Sequence, residues 1–232
     1  MHALWTRPWM LALAAGVAIV VIAFVPSLWL LWTRGGEAPA AAGGAPPWQI
    51  ERVDDDATRV FGLTLGRSAL ADALPRDDAL QVALVGRGDE VGALEALVDP
   101  FAAGFVSGRL IVAADAELAL RRAWRERSPQ RDAGGDGAWR HRLAPADRGE
   151  ALRAPVAGLT FIPSAQLDAA TLRRRFGEPD EIVRTGERLE HWLYPARGLA
   201  ITLDAEGREV LQYVAPTQFE ARLRAPLLDA AR

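Results

Sequence analysis

Few side chains in this sequence are of a type that does chemistry. Beyond the N-terminal apolar stretch there are two histidines, His141 and His191, and no cysteine. The absence of cysteine removes disulfides, thiolate zinc sites, cysteine nucleophiles and a lipid-bearing cysteine together. No H-E-x-x-H, C-x-x-C, G-x-S-x-G, Walker A or G-x-G-x-x-G pattern occurs. His191 lies between Glu190 and Trp192 on a predicted strand. As a functional group it would be a pH-sensitive or catalytic imidazole, with Glu190 or Glu178 as its acid. As a structural group it is a half-buried strand histidine with a satisfied partner. Trp192 and Tyr194 fall on the opposite face of that strand. They line a peptide groove, or they pack against a helix bearing Phe176. His191, Trp192 and Tyr194 are therefore the candidate interaction residues, and no catalytic, cofactor or metal residue is assigned.

Other motifs resolve to local structure. Ser68, in Gly66-Arg67-Ser68-Ala69-Leu70, lacks the second glycine of a nucleophile elbow and reads as a helix cap. Asp54-Asp55-Asp56 lacks the alternating oxygens and the glycine of a calcium loop, so it reads as a solvated charge run. Arg87-Gly88-Asp89 is turn chemistry. Arg173-Arg174-Arg175 has the composition of a phosphate site, but cations in a last helical turn also complement the carbonyl end of the macrodipole.

These residues need elements to hold them. Ser164 or Asp168 caps a helix whose apolar Leu172 and Phe176 share one face. Gly177 and Pro179 end it. The period then switches to two, giving strands at 181–184, 189–194, 199–203 and 210–214 with turns between. Upstream, strands are expected at 80–85, 91–98 and 105–113, then a helix capped by Asp115 and ending at Arg127. A loop at 128–137 and a short helix from Pro145 to Arg153 follow. Helix followed by an antiparallel meander is an α+β layout, the helix covering one face of the sheet. The segments beginning Gly62-Leu63-Thr64 and Gly158-Leu159-Thr160 resemble each other, as two duplicated α/β units would. In an alanine-rich chain, chance gives the same similarity.

Residues 158–214 resemble the SmpA/OmlA family of outer-membrane assembly accessory lipoproteins. The resemblance rests on Phe176-Gly177-Glu178-Pro179 ending a helix, on Trp192 and Tyr194 in the next hairpin, and on Leu203-Asp204-Ala205-Glu206-Gly207. It implies a helix-on-sheet scaffold that binds protein or peptide. The chain departs from that family in having no cysteine to lipidate.

The N-terminus supplies a different attachment. Trp9–Trp32 is 24 residues without a charge, bounded by Arg7 and Arg34, with Trp5, Trp9, Trp29 and Trp32 at its ends. At about 1.5 Å per residue it makes about 36 Å of helix, enough to cross a hydrocarbon core of about 30 Å. Tryptophans at both ends suit the headgroup boundary, and Pro26 bends the span. A cleavable signal has a shorter apolar core of about 7–15 residues. The expected organisation is a tail and transmembrane anchor at 1–34, a Gly/Ala/Pro linker at 35–48, and α+β units at 49–154 and 155–216. A tail or helix at 217–232 closes the chain. Beyond residue 34, 25 arginines face 30 acids, which disfavours nucleic acid as a partner. The expected protein is non-enzymatic and needs no cofactor. It spans a bacterial inner membrane once through residues 9–32, with its C-terminal domain in the periplasm binding other envelope proteins. A small-ligand or lipid sensor is the alternative, and an enzyme with a dispersed site near His191 a weaker one.

Overall fold

The computed structural model describes residues 41–74, 82–133, 137–205 and 207–231. The expected transmembrane segment and residues 35–40 of the linker lie outside these. Among the described residues, no helix is long and apolar enough to cross a membrane.

An antiparallel sheet organises the molecule. Its strands are β5 (Val82–Arg87), β6 (Ala93–Ala103), β7 (Val106–Ala114), β8 (Arg131–Ala133), β9 (Ala138–Arg142), β10 (Val156–Pro163), β11 (Glu181–Thr185), β12 (Leu189–Tyr194), β13 (Leu199–Asp204) and β14 (Val210–Val214). Their order is β11-β12-β13-β14-β10-β7-β6-β5-β9-β8. A further strand, β1 (Ala41–Gly43), joins β6 in parallel with Ala41 opposite Phe101. β2 (Glu51–Arg52), β3 (Thr58–Val60) and β4 (Leu63–Thr64) make a separate small sheet. The helices are α1 (Leu118–Glu126), α2 (Pro145–Ala151), α3 (Ala169–Phe176) and α4 (Ala225–Ala230), the last preceded by a π-helical turn over Glu220–Arg224. The α+β class and the helix-on-antiparallel-sheet layout are as the patterning implies.

The strands on both sides of position 155 belong to one sheet, because β10 pairs with β7 on one side and β14 on the other. β10 reads Val-Ala-Gly-Leu-Thr-Phe-Ile-Pro and is buried along its whole length. A strand covered on both faces shows no polar alternation, so no period marks it in the sequence. The Gly62 and Gly158 segments take different forms. Gly158 sits within β10, whereas Gly62 has a left-handed φ of 82° in a turn before the two-residue β4.

α3 is built as its sequence implies. Asp168 accepts the Thr171 amide at 2.7 Å, and Leu172 and Phe176 are buried. Gly177 ends the helix with φ 79° and ψ −175°, a conformation open only to glycine. Elsewhere local expectations change. Asp115 is not a cap: α1 starts at Leu118, and the Asp115 carboxylate instead takes both oxygens to Arg222 at 2.8 Å. Ser68 is not a cap either. Its hydroxyl accepts the Thr64 amide, closing a turn, and the short 3-10 helix Leu70–Ala73 begins two residues later. Within the expected loop at 128–137, Arg131–Ala133 forms edge strand β8. The C-terminal segment is helical through Ala230.

The first face of the sheet carries the main core. Trp124 of α1, Ala151 of α2, Leu172 and Phe176 of α3, and Val60 and Leu63 of the small sheet pack there with Leu84, Leu110, Leu159, Phe161, Trp192 and Tyr213. On the second face, Phe219, Leu223 and Leu227 cover Val183, Leu193, Ala200 and Val214. Residues 41–48, at the end of the expected linker, lie along the domain. Tyr213 donates to the Pro47 carbonyl at 2.9 Å, and the Trp48 ring stands 6.4 Å from Phe176.

Candidate functional site

β12 carries His191 on one face of the sheet and Trp192 and Tyr194 on the other, as strand alternation requires. All three are inside: His191 is 5% exposed, Trp192 1% and Tyr194 2%. In this arrangement their rings offer no surface to a partner.

The two faces of β12 have different chemistry. His191 is bracketed by hydroxyls, Thr202 Oγ1 at 2.8 Å from Nδ1 and Thr185 Oγ1 at 2.7 Å from Nε2. Both threonines come from neighbouring strands, Thr202 directly opposite in register. Burial pushes the imidazole down to about 4, so it stays neutral across the physiological range. Neither acid suggested by the sequence reaches it. Glu190 points to the other face, where it accepts the Trp192 indole N–H at 2.5 Å and the Arg184 guanidinium at 2.7 Å. Those two donors, the indole foremost, hold its carboxyl below the usual carboxylate range. Glu178 pairs with Arg173 at 3.2 Å. Neither Glu190 nor Glu178 therefore forms an acid–base pair with His191.

On the aromatic face, arginines from α3 lie over tryptophans. The Arg173 guanidinium sits 4.4 Å from the Trp192 ring centre, and Arg175 sits 4.6 Å from that of Trp48. Arg174 donates to the Thr171 hydroxyl at 2.7 Å. Each member of the triplet has a partner within the fold, so the phosphate reading is not needed to explain it. Tyr194 donates to the Gly177 carbonyl at 3.0 Å, and Arg197 donates to the Phe176 carbonyl at 2.6 Å. Both satisfy backbone groups that the end of α3 leaves open. Burial drives the Tyr194 hydroxyl up to about 12. Trp192 and Tyr194 thus lock α3 to the sheet. The row of rings continues outward through Trp48 to Phe105, 5.3 Å away and 76% exposed at the tip of the β6–β7 hairpin.

An open cleft of about 320 Å³ lies elsewhere, between the small sheet and the start of the C-terminal helix. Asp56, Arg67, Asp115, Thr217 and Arg222 are among its lining residues. Arg67 pairs with Asp54 at 2.5 Å and Arg222 with Asp115 at 2.8 Å, so both arginines of the lining are held in ion pairs. It is a polar cleft, unlike the apolar one that a sensor built on Trp192 and Tyr194 would show. Asp54 accepts the amides of Asp56 and Ala57 at 3.0 and 2.9 Å, closing a turn. Arg67 is the main reason its carboxyl titrates low. Among the described residues, no three His, Cys, Asp or Glu side chains gather as a metal site.

No family model, no curated protein and no solved structure matches this chain.

Proposed function

We propose that the chain is a single-pass membrane protein whose α+β domain acts as a non-catalytic binding module on the outer side of a bacterial inner membrane. The carrying observation is the uncharged run Trp9–Trp32, with tryptophans at both ends and the length of a bilayer core. One apolar span followed by a folded domain is the layout of a single-pass anchor.

Eight residues separate Trp32 from β1. Fully extended they reach roughly 28 Å, so β1 holds the domain near the membrane surface. Two features support a binding role over a catalytic one. The imidazole of His191 is enclosed between threonines, and both arginines that line the cleft are held in ion pairs. The α3–β11–β12–β13 module, with Phe176-Gly177-Glu178-Pro179 at the helix end and Trp192 and Tyr194 packed beneath it, also supports kinship with envelope-assembly accessory proteins. The test is capture of the full chain in mild detergent after in-cell cross-linking. Recovery of inner-membrane or periplasmic proteins is expected, and recovery of none contradicts the binding role.

A further inference from the structure

The turn that joins β6 to β7 consists of Gly104 and Phe105. Glycine, asparagine and aspartate are the ordinary choices for such a turn, and phenylalanine is not. Phe105 is 76% exposed, whereas the next most exposed large apolar side chain, Leu118, reaches 47%. A single apolar side chain at the surface would need no explanation. Phe105 is not single. Its ring lies 5.3 Å from half-buried Trp48, and the Arg175 guanidinium sits over that indole at 4.6 Å. Among the described residues Arg175 has the Trp48 ring as its partner and no carboxylate. A phenylalanine, a tryptophan and an arginine in one row at a hairpin tip have the composition of side chains that settle at a membrane interface.

The path of the chain leads from the apolar run to this tip. β1 runs parallel to β6 and toward the turn, ending with Gly43 opposite Ala103. The backbone of Pro46 then passes the turn so closely that a β-carbon on Gly104 would stand 3.2 Å from it. Trp48 follows, against Phe105. Eight residues lie between Trp32 and β1, and a flexible chain of that length spans on average roughly 16 Å. We propose that Phe105 and Trp48 rest in the headgroup layer of the bilayer that holds residues 9–32, with Arg175 among its phosphates. This contact rests on the anchored reading above and adds a second point of attachment to it.

Area separates a bilayer from a protein as the occupant. Two aromatic side chains bury roughly 300–500 Å² at most, below the roughly 800 Å² per partner of a stable protein interface. A tether changes that arithmetic for a membrane. A short flexible link holds the tip beside the surface at an effective concentration on the order of millimolar. A contact too weak for a free protein is then populated. Orientation follows from the same contact. β7 leaves the tip at Val106 and ends at Ala114, roughly 27 Å away, and Asp115 beyond it lines the polar cleft. Docking the tip therefore turns the cleft away from the bilayer.

The test exploits the absence of cysteine. Phe105→Cys and Ser107→Cys place a single thiol at the tip, and Asp89→Cys places one in the turn at the other end of β6. All three positions are exposed, and Ser107→Cys keeps Phe105 in place. Each full-length variant is labelled with a nitrobenzoxadiazole fluorophore and reconstituted into vesicles of phosphatidylethanolamine and phosphatidylglycerol. A fraction of the lipid carries a nitroxide quencher near the top of its acyl chain, and carbonate extraction reads membrane retention. The expected result is loss of emission at positions 105 and 107, none at position 89, and recovery at 107 when Phe105→Ser is added. A chain that resists carbonate with neither tip position quenched overturns the contact and leaves the anchor standing. Equal quenching at position 89, or a blue shift at the tip without quenching, also overturns the contact. A chain released by carbonate overturns the anchored reading and this contact with it.

Discussion

The hydroxyl of Tyr213, in the middle of the sheet, donates to the carbonyl of Pro47, 166 positions earlier in the chain, at 2.9 Å. Both groups are buried, and burial raises the tyrosine well above its ordinary value. This bond fastens the segment that follows β1 to the core. Tyr213→Phe leaves the Pro47 carbonyl without its donor and should cost about 1–3 kcal/mol. Equilibrium denaturation would read that loss, and proteolysis near residues 44–50 should quicken with it.

Stability should fall between about pH 6.5 and 4, and His191 is the main reason. Its imidazole titrates near 6.5 in the unfolded chain and near 4 when folded. Below pH 6.5 the unfolded state takes up a proton that the folded state refuses, so unfolding gains on acidification. The contribution is complete above 6.5 and lost as pH falls toward 4, at most about 3 kcal/mol. His141 is also lowered, by burial and by Arg125 and Arg131, and adds to the same slope. His191→Gln should flatten most of the pH dependence of the unfolding midpoint. An unchanged slope would contradict the enclosed site between Thr185 and Thr202.

Gly177→Ala places a β-carbon on a residue with φ 79° and ψ −175°. No atom crowds the position, so the cost is purely conformational, about 1–3 kcal/mol. Loss of midpoint with an unchanged denaturant slope is the expected signature.

Trp192→Ala should cost about 3–5 kcal/mol by opening a cavity in the main core. Phe105→Ser, at a site 76% exposed, should change stability by less than about 0.5 kcal/mol. The contrast separates the inner end of the aromatic row from its outer end, and thermal melts of both variants would show it.

The second half of the fold was the more legible because its signals are local. Asp168, Leu172, Phe176 and Gly177 write a capped amphipathic helix within ten positions, and β11 to β14 alternate or are separated by turns. What could not be read depends on distant partners. β10 lacks alternation because it is buried on both faces. Asp115 has a cap's identity, but its Arg222 partner lies 107 positions away. β8 is three residues held by pairing with β9, with no period of its own. At the candidate site, strand alternation put His191 opposite Trp192 and Tyr194. The degree of enclosure came instead from Thr185, Thr202 and the helices on each face, which no short motif announces.

The most direct test of the anchored account is a paired reporter at the C-terminus of the full chain, alkaline phosphatase in one fusion and green fluorescent protein in the other. The account predicts active phosphatase and dark fluorescent protein, both in the membrane fraction after carbonate washing. Bright fluorescence with inactive phosphatase, or a freely soluble full-length chain, would contradict it.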